Sequence, residues 1–218
     1  MAKIIIFGIN DFAELAHYYL CTDTVHEVVA FSVSREYMPS GNEFKELPVI
    51  PFENIEDIYS PDDFKFFAPM SAKGMNRLRE GIYNEIKNKG YSLISYVSSK
   101  ATMFDNKIGE NCFILEDNTL QPFSDIGNNV ILWSGNHIGH HSLIKNHIML
   151  SSHVVVSGHC IIEPYSFLGV NSAIRDGVTI AKGTLVAMGA NVLSDTESWG
   201  VYTGNPAKKE VKSSKEYF

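Results

Sequence analysis

The chain has 218 residues, 44% of them hydrophobic and 20% charged, with a formal charge of −7. That length holds a sizeable core in one or two domains, and the acidic balance argues against a general affinity for nucleic acid or acidic membranes. The three cysteines, Cys21, Cys112 and Cys160, are odd in number and have no close or metal-ligand spacing, so they read as reduced thiols of a cytoplasmic protein. The opening apolar run is too short for a signal peptide, and no stretch approaches the ~18 apolar residues of a membrane span.

Residues 3–7, KIIIF, are a short continuous apolar run and predict a buried strand of a parallel sheet. Gly8 turns the chain, and residues 11–20 carry helical periodicity, with Asn10 or Asp11 as the N-cap. Residues 27–33, EVVAFSV, predict a second strand. Strand, turn, helix and strand within about 30 residues resemble a shortened Rossmann-like half, in which the helix N-terminus faces a phosphate. Gly8 alone of the G-x-G-x-x-G fingerprint is present, so a complete dinucleotide site is not expected. A short edge strand at 48–50, a short helix at 54–59 and a strand at 64–68 follow. Residues 74–89 are amphipathic, with Met75, Leu78, Ile82 and Ile86 on one face and Arg77, Arg79, Glu80 and Lys87 on the other. Residues 91–97 predict the last strand of a first domain, 1–97. Residues 98–107 hold neither pattern and read as a linker.

From Ile108 the period changes to six. The first position of each six is Ile108, Ile114, Leu120, Ile126, Leu132, Ile138, Ile144, Leu150, Val156, Ile162, Leu168, Ile174, Ile180, Val186 and Val192, without a break in phase. The fifth position is small, β-branched or Asn throughout, as at Cys112, Asn118, Ser124 and Asn136, and the second is often Gly, as at Gly109, Gly127, Gly139 and Gly169. A period of six fits neither an amphipathic helix nor an alternating strand. It fits a short strand and a tight turn, repeated and stacked so that each coil is stabilised by its neighbours. This second domain spans 108–197, and residues 198–218 form a closing turn and a charged tail.

The repeat resembles that of the hexapeptide acyltransferases, and with the preceding α/β domain it is similar to their nucleotide-sugar acetyltransferase branch, of the sialic-acid O-acetyltransferase and bacillosamine N-acetyltransferase type. The Gly204-Asn205-Pro206-Ala207-Lys208 turn after the last six is a further feature of that family. The resemblance implies a left-handed parallel β-helix of about five coils, three sixes to a coil. It also implies acetyl-CoA as co-substrate, a nucleotide-linked sugar as acceptor, no metal, and a homotrimer with sites between subunits.

Six of the eight histidines, His137, His140, His141, His147, His153 and His159, fall in 23 residues. Any one of them is more often a surface or packing residue than a catalyst. By hexad phase His140 matches the family's general base, two residues after the aliphatic Ile138. An amine attacking a thioester must lose a proton, and a neutral imidazole can take it. Many relatives follow that histidine with a carboxylate, whereas here the next residue is His141, which the resemblance makes the second catalytic candidate and which leaves open what polarises His140. Gly158, 18 residues on and in the same phase, is the matched backbone donor for the thioester oxyanion. The resemblance also places Met149, Val170, Met188 and Lys208 along the coenzyme A groove. It places Gly8, Asn10, Asp11 and Phe12 at the sugar nucleotide, with Asn136 and His137 near the acceptor. Asn136 equally fits an inward asparagine stack with Asn118, and Lys208 a solvated lysine.

The leading expectation is an N-acetyltransferase acting on the amine of a nucleotide-linked amino-deoxy sugar. O-acetylation of a sugar hydroxyl is the nearest alternative, because histidine serves as base for either. A metalloenzyme resembling the γ-class carbonic anhydrases is a second class, suggested by the histidines. Against it, His147, His153 and His159 step by six and so fall on different faces, although His141 and His159, 18 apart, should stack. A non-catalytic scaffold or sugar-nucleotide sensor is a third.

Overall fold

A computed structural model describes residues 1–217; Phe218, the end of the tail, lies outside the described residues. The chain divides into two compact units, residues 1–71 with 81–95, and residues 72–80 with 96 onward. Among the described residues no helix is long and apolar enough to cross a membrane.

The first unit is an α/β layer. Its strands are β1 (Lys3–Phe7), β2 (Glu27–Val33), β3 (Glu43–Phe44), β4 (Leu47–Pro51) and β5 (Phe64–Phe67), in the order β3-β4-β2-β1-β5. All pairs are parallel except the β3–β4 hairpin. The apolar run of β1 is central because it must be covered on both faces, and Ile4, Ile5 and Ile6 are fully buried. The chain moves outward from β1 to β2 and β4, then returns to pair β5 on the other side of β1. The carboxyl end of β1 is therefore the topological switch point, where open α/β sheets form a ligand crevice. The segment at 48–50 is not the edge strand expected from sequence, since the β3 hairpin pairs outside it. The expected helix at 54–59 is a 3-10 helix over Phe52–Asp57.

The second unit is a parallel β-helix. Two-residue strands recur every six residues, and from Phe113 to Ile174 each pairs with the strand 18 further along, as Ile138 with Val156 and Val156 with Ile174. Three stacked sheets result. The aliphatic first positions fill the interior, from Ile114 to Val192. The fifth position is small because it sits inside the corner and bonds the turn carbonyls there. Ser124 Oγ donates to Gln121 O at 2.7 Å, Asn118 Nδ2 to Leu115 O at 2.9 Å, and Thr184 Oγ1 to Ala181 O at 2.7 Å. The fourth position takes left-handed backbone, including Asn111, Asn129, His141, His147, His153 and His159.

The expected linker at 98–107 is part of this solenoid. Val97 pairs with Ile114 and Thr102 with Thr119, both 17 residues on, while Ile108 pairs with Ile126 at the full 18. The inward residues are Val97, Met103 and Ile108, so this first coil is one residue short, which is why the six-residue phase fails before Ile108. The expected strand at 91–97 divides accordingly: Leu93 bridges Phe66 in the α/β sheet, and β6 (Tyr96–Val97) opens the β-helix.

The amphipathic segment at 74–89 also departs from expectation. Gly74, Met75 and Asn76 take left-handed φ of 66°, 52° and 64°, so the helix starts only at Arg77 and runs to Asn88. Leu78 is exposed. Arg79, expected on the polar face, is fully buried and donates from Nη2 to Asn76 Oδ1 and Ile148 O at 2.7 and 3.2 Å.

Candidate active site

The turn after β1 holds four of the expected substrate residues. Gly8 has φ +111°, open to glycine, and its N–H donates to Ser32 O at 2.8 Å. Asn10 occupies the N-cap of the helix Asp11–Asp23 in extended backbone, without a side-chain cap bond. Asn10 and Asp11 are exposed and Phe12 is half-buried, so this loop is the open rim of the β1 switch point. Beyond β2 the Arg35 N–H bonds the Glu53 carboxylate at 3.0 and 3.2 Å.

The β-helix brings His140, Gly158 and Asp176 into one line at a corner, one per coil. A side-chain carbon on Gly158 would stand 2.9 Å from His140 Nε2 and 3.0 Å from Asp176 Oδ1, so both polar groups border the same space. The Gly139 Cα lies against the next coil so closely that a Cβ there would meet Ser157 C at 2.5 Å and Gly158 N at 2.6 Å. The two glycines thus let the His140 imidazole lie over a bare stretch of backbone. At three other coils or faces the N–H at this hexad position is taken by a side chain: Glu110 N by Asn128, Asn128 N by Asn146, and His140 N by Gln121 Oε1 at 2.9 Å. The Gly158 carbonyl accepts from Gly177 N, and no side chain takes the Gly158 N–H among the described residues. The arrangement therefore offers a base, a backbone donor and a carboxylate around one small space. Asp176 was missed from sequence although it lies two coils, 36 residues, beyond His140 in the same phase.

His141 is not a second group at that space. It occupies the neighbouring left-handed corner, φ +57°, in a ring ladder with Phe123 at 4.8 Å and His159 at 4.9 Å. The expected His141–His159 stack is present at 16° interplanar angle. His140 Nδ1 lies 3.1 Å from His141 Nδ1, so His141 fixes the imidazole from the side opposite Nε2.

Other expected residues divide by exposure. Asn136 is buried, bonding Trp133 O through Nδ2 and accepting from Val154 N at 2.8 Å. Both ends of its amide bond inside the coil, as the alternative reading of an inward asparagine expects. His137 is half-buried and opens the strand His137–Ile138. Met149 is buried, whereas Val170 and Met188 are exposed, Met188 at 77%. Lys208 is exposed on the closing hairpin, paired with Thr203.

No family model and no curated protein matches the sequence. Solved structures match over nearly the whole chain. The acetyltransferase domain of PglB from Neisseria gonorrhoeae has a TM-score of 0.82 at 21% identity, covering 96% of this chain and all of that one. A variant of perosamine N-acetyltransferase from Caulobacter crescentus, solved with CoA and GDP-perosamine, has 0.84 at 21%, covering 97% and 98%. WeeI from Acinetobacter baumannii has 0.80 at 18%, covering 96% and 100%. At these identities the likeness establishes the architecture: the chain has the fold of these proteins, an α/β domain followed by a left-handed parallel β-helix.

Proposed function

We propose that this protein is an acetyl-CoA-dependent N-acyltransferase acting on the amine of a nucleotide-linked amino sugar. The observation that carries the reading is the line of His140, Gly158 and Asp176 around one space. Of the proteins that share the fold, one was solved with acetyl coenzyme A and another with CoA and GDP-perosamine.

In this mechanism the free amine attacks the thioester carbonyl carbon as His140 Nε2 takes its proton, and the Gly158 N–H donates to the developing oxyanion. Collapse breaks the C–S bond, and the thiolate leaves with the proton returned by the imidazolium. Asp176, which borders the same space beside Gly158, offers a negative charge to the imidazolium that forms as His140 takes the proton. In this reading Asp176 takes the part that a carboxylate at position 141 has in many relatives. Gly8, Asn10, Asp11 and Phe12 hold the sugar nucleotide at the switch point. Val170, Met188 and Lys208 border the coenzyme. Leu143 and Ile161, exposed on one face of the coil with Val155 on the next, support trimeric packing, which sedimentation tests. The three cysteines form no disulfide among the described residues, which fits a reducing cytoplasm.

The test is thiol release from acetyl-CoA with a panel of nucleotide-linked sugars carrying amine or hydroxyl acceptors. Release with an amino sugar alone is expected. Release with a hydroxyl acceptor alone moves the reaction to O-acetylation, and release with none refutes the transferase.

A further inference from the structure

His140, His141 and His159 each present a ring nitrogen, and the three nitrogens lie within 4.8 Å of one another. A tetrahedral ion with metal–nitrogen bonds of about 2.0–2.1 Å needs nitrogens about 3.4 Å apart. The His140 Nδ1–His141 Nδ1 separation, 3.1 Å, is already close to that edge. The widest separation in the group, at most 4.8 Å, has to close, which side-chain rotation supplies because all three rings are exposed. Their backbones are fixed, with His159 N bonded to His140 O at 2.9 Å and His140 N to Gln121.

We propose that His140, His141 and His159 form a three-imidazole site for a borderline divalent transition-metal ion of the Zn²⁺ class, with its fourth position open to water. The donor set decides the ion. Imidazole without carboxylate suits Zn²⁺, Co²⁺, Ni²⁺ and Cu²⁺ and not Mg²⁺ or Ca²⁺. The nearest thiol, Cys160, is buried and donates to Arg175 O at 3.2 Å, so it is outside the set. All three ligands come from one subunit and one corner, unlike a site assembled across an interface. Occupancy has a consequence that rests on the transferase reading: metal on His140 Nδ1 withdraws the lone pair on which the ring's basicity depends. An occupied site and a working base are mutually exclusive.

The test uses untagged, chelator-treated protein and reads binding apart from activity. Titration with Co²⁺ is expected to give one ion per chain with a tetrahedral visible spectrum, and Zn²⁺ to displace it. His159→Ala and His141→Ala should each weaken binding by at least about 10–100-fold, the loss seen even for supporting partners of ligands. His153→Ala, at another corner, should bind as wild type. Zn²⁺ should also shield His140, His141 and His159 from diethylpyrocarbonate, located by mass spectrometry, while His153 still reacts. Absence of stoichiometric binding, binding that survives His159→Ala, or equal modification with and without Zn²⁺ would overturn the site. If the site binds and no sugar supports thiol release, the site stands and the transferase reading falls. If release occurs, micromolar Zn²⁺ should suppress it reversibly in wild type, relative to the metal-free rate, and less in His159→Ala.

Discussion

At the residue scale the histidines separate by backbone conformation. His141, His147, His153 and His159 all occupy the left-handed corner, at φ between 57° and 60°, a region where His, Asn and Asp are enriched among non-glycine residues. Their six-residue spacing is thus in large part a demand of the turn. His140 lies one residue off that position, beside a glycine-lined space, and its presence has no conformational cause. His140→Ala should therefore lower kcat about 10²-fold or more, with His141→Ala costing less because that ring positions its neighbour. Asp176→Asn keeps the shape and removes the charge. It should lower kcat about tenfold, with little change in KM for acetyl-CoA, since the charge acts on the proton-transfer step. An Asp176→Asn enzyme with unchanged kcat would remove the carboxylate from the mechanism.

At the scale of the element, coil spacing sets what each glycine must do. Gly139→Ala places a carbon 2.5 Å from Ser157 C and 2.6 Å from Gly158 N, backbone atoms that move only if two coils part. A cost of about 3 kcal/mol is expected. Gly177→Ala meets nothing within 4 Å and pays only for φ +72°, about 1 kcal/mol. Urea unfolding of the pair separates the two causes, since Gly177 and not Gly139 has left-handed backbone, and a Gly139→Ala loss no larger than that of Gly177→Ala would mean that the coils part at little cost. The same spacing explains what was legible in the sequence. Fifteen aliphatic residues in phase require a stacked coil, and KIIIF requires a central strand. The coil over 97–108 was hidden because one missing residue breaks the count between Met103 and Ile108. Arg79 was misplaced because the left-handed turn at Gly74, Met75 and Asn76 delays the helix start. Asp176 was hidden for another reason: stepping one coil from His140 reaches Gly158, and only a second step reaches the carboxylate.

At the scale of the whole molecule, stability should depend on pH through buried histidine. His147 stacks on Tyr165 at 5.6 Å, with Nδ1 2.9 Å from Asn129 Nδ2 and Nε2 3.5 Å from Glu80. Burial holds its pKa below 6.5; the Glu80 carboxylate opposes this and the Arg79 guanidinium adds to it. His17 and His26 are lowered too, again chiefly by burial. A histidine lowered in the folded state leaves the unfolded chain binding more protons just below pH 6.5. Stability is then level above that pH, falls as pH drops from 6.5 towards the folded-state value, and levels again below it. His147→Asn removes one titrating group while tolerating the left-handed backbone. It also continues the amide ladder in which Asn111 Nδ2 donates to Asn129 Oδ1 at 2.8 Å. Near pH 8 the variant should be less stable by about 0.5–1 kcal/mol, the worth of the lost ring stack. Below pH 6.5 the gap should narrow, because the wild type alone pays to keep that ring neutral. Denaturant unfolding of both proteins across this range decides the matter, and parallel curves would show that His147 titrates alike in the folded and unfolded chains.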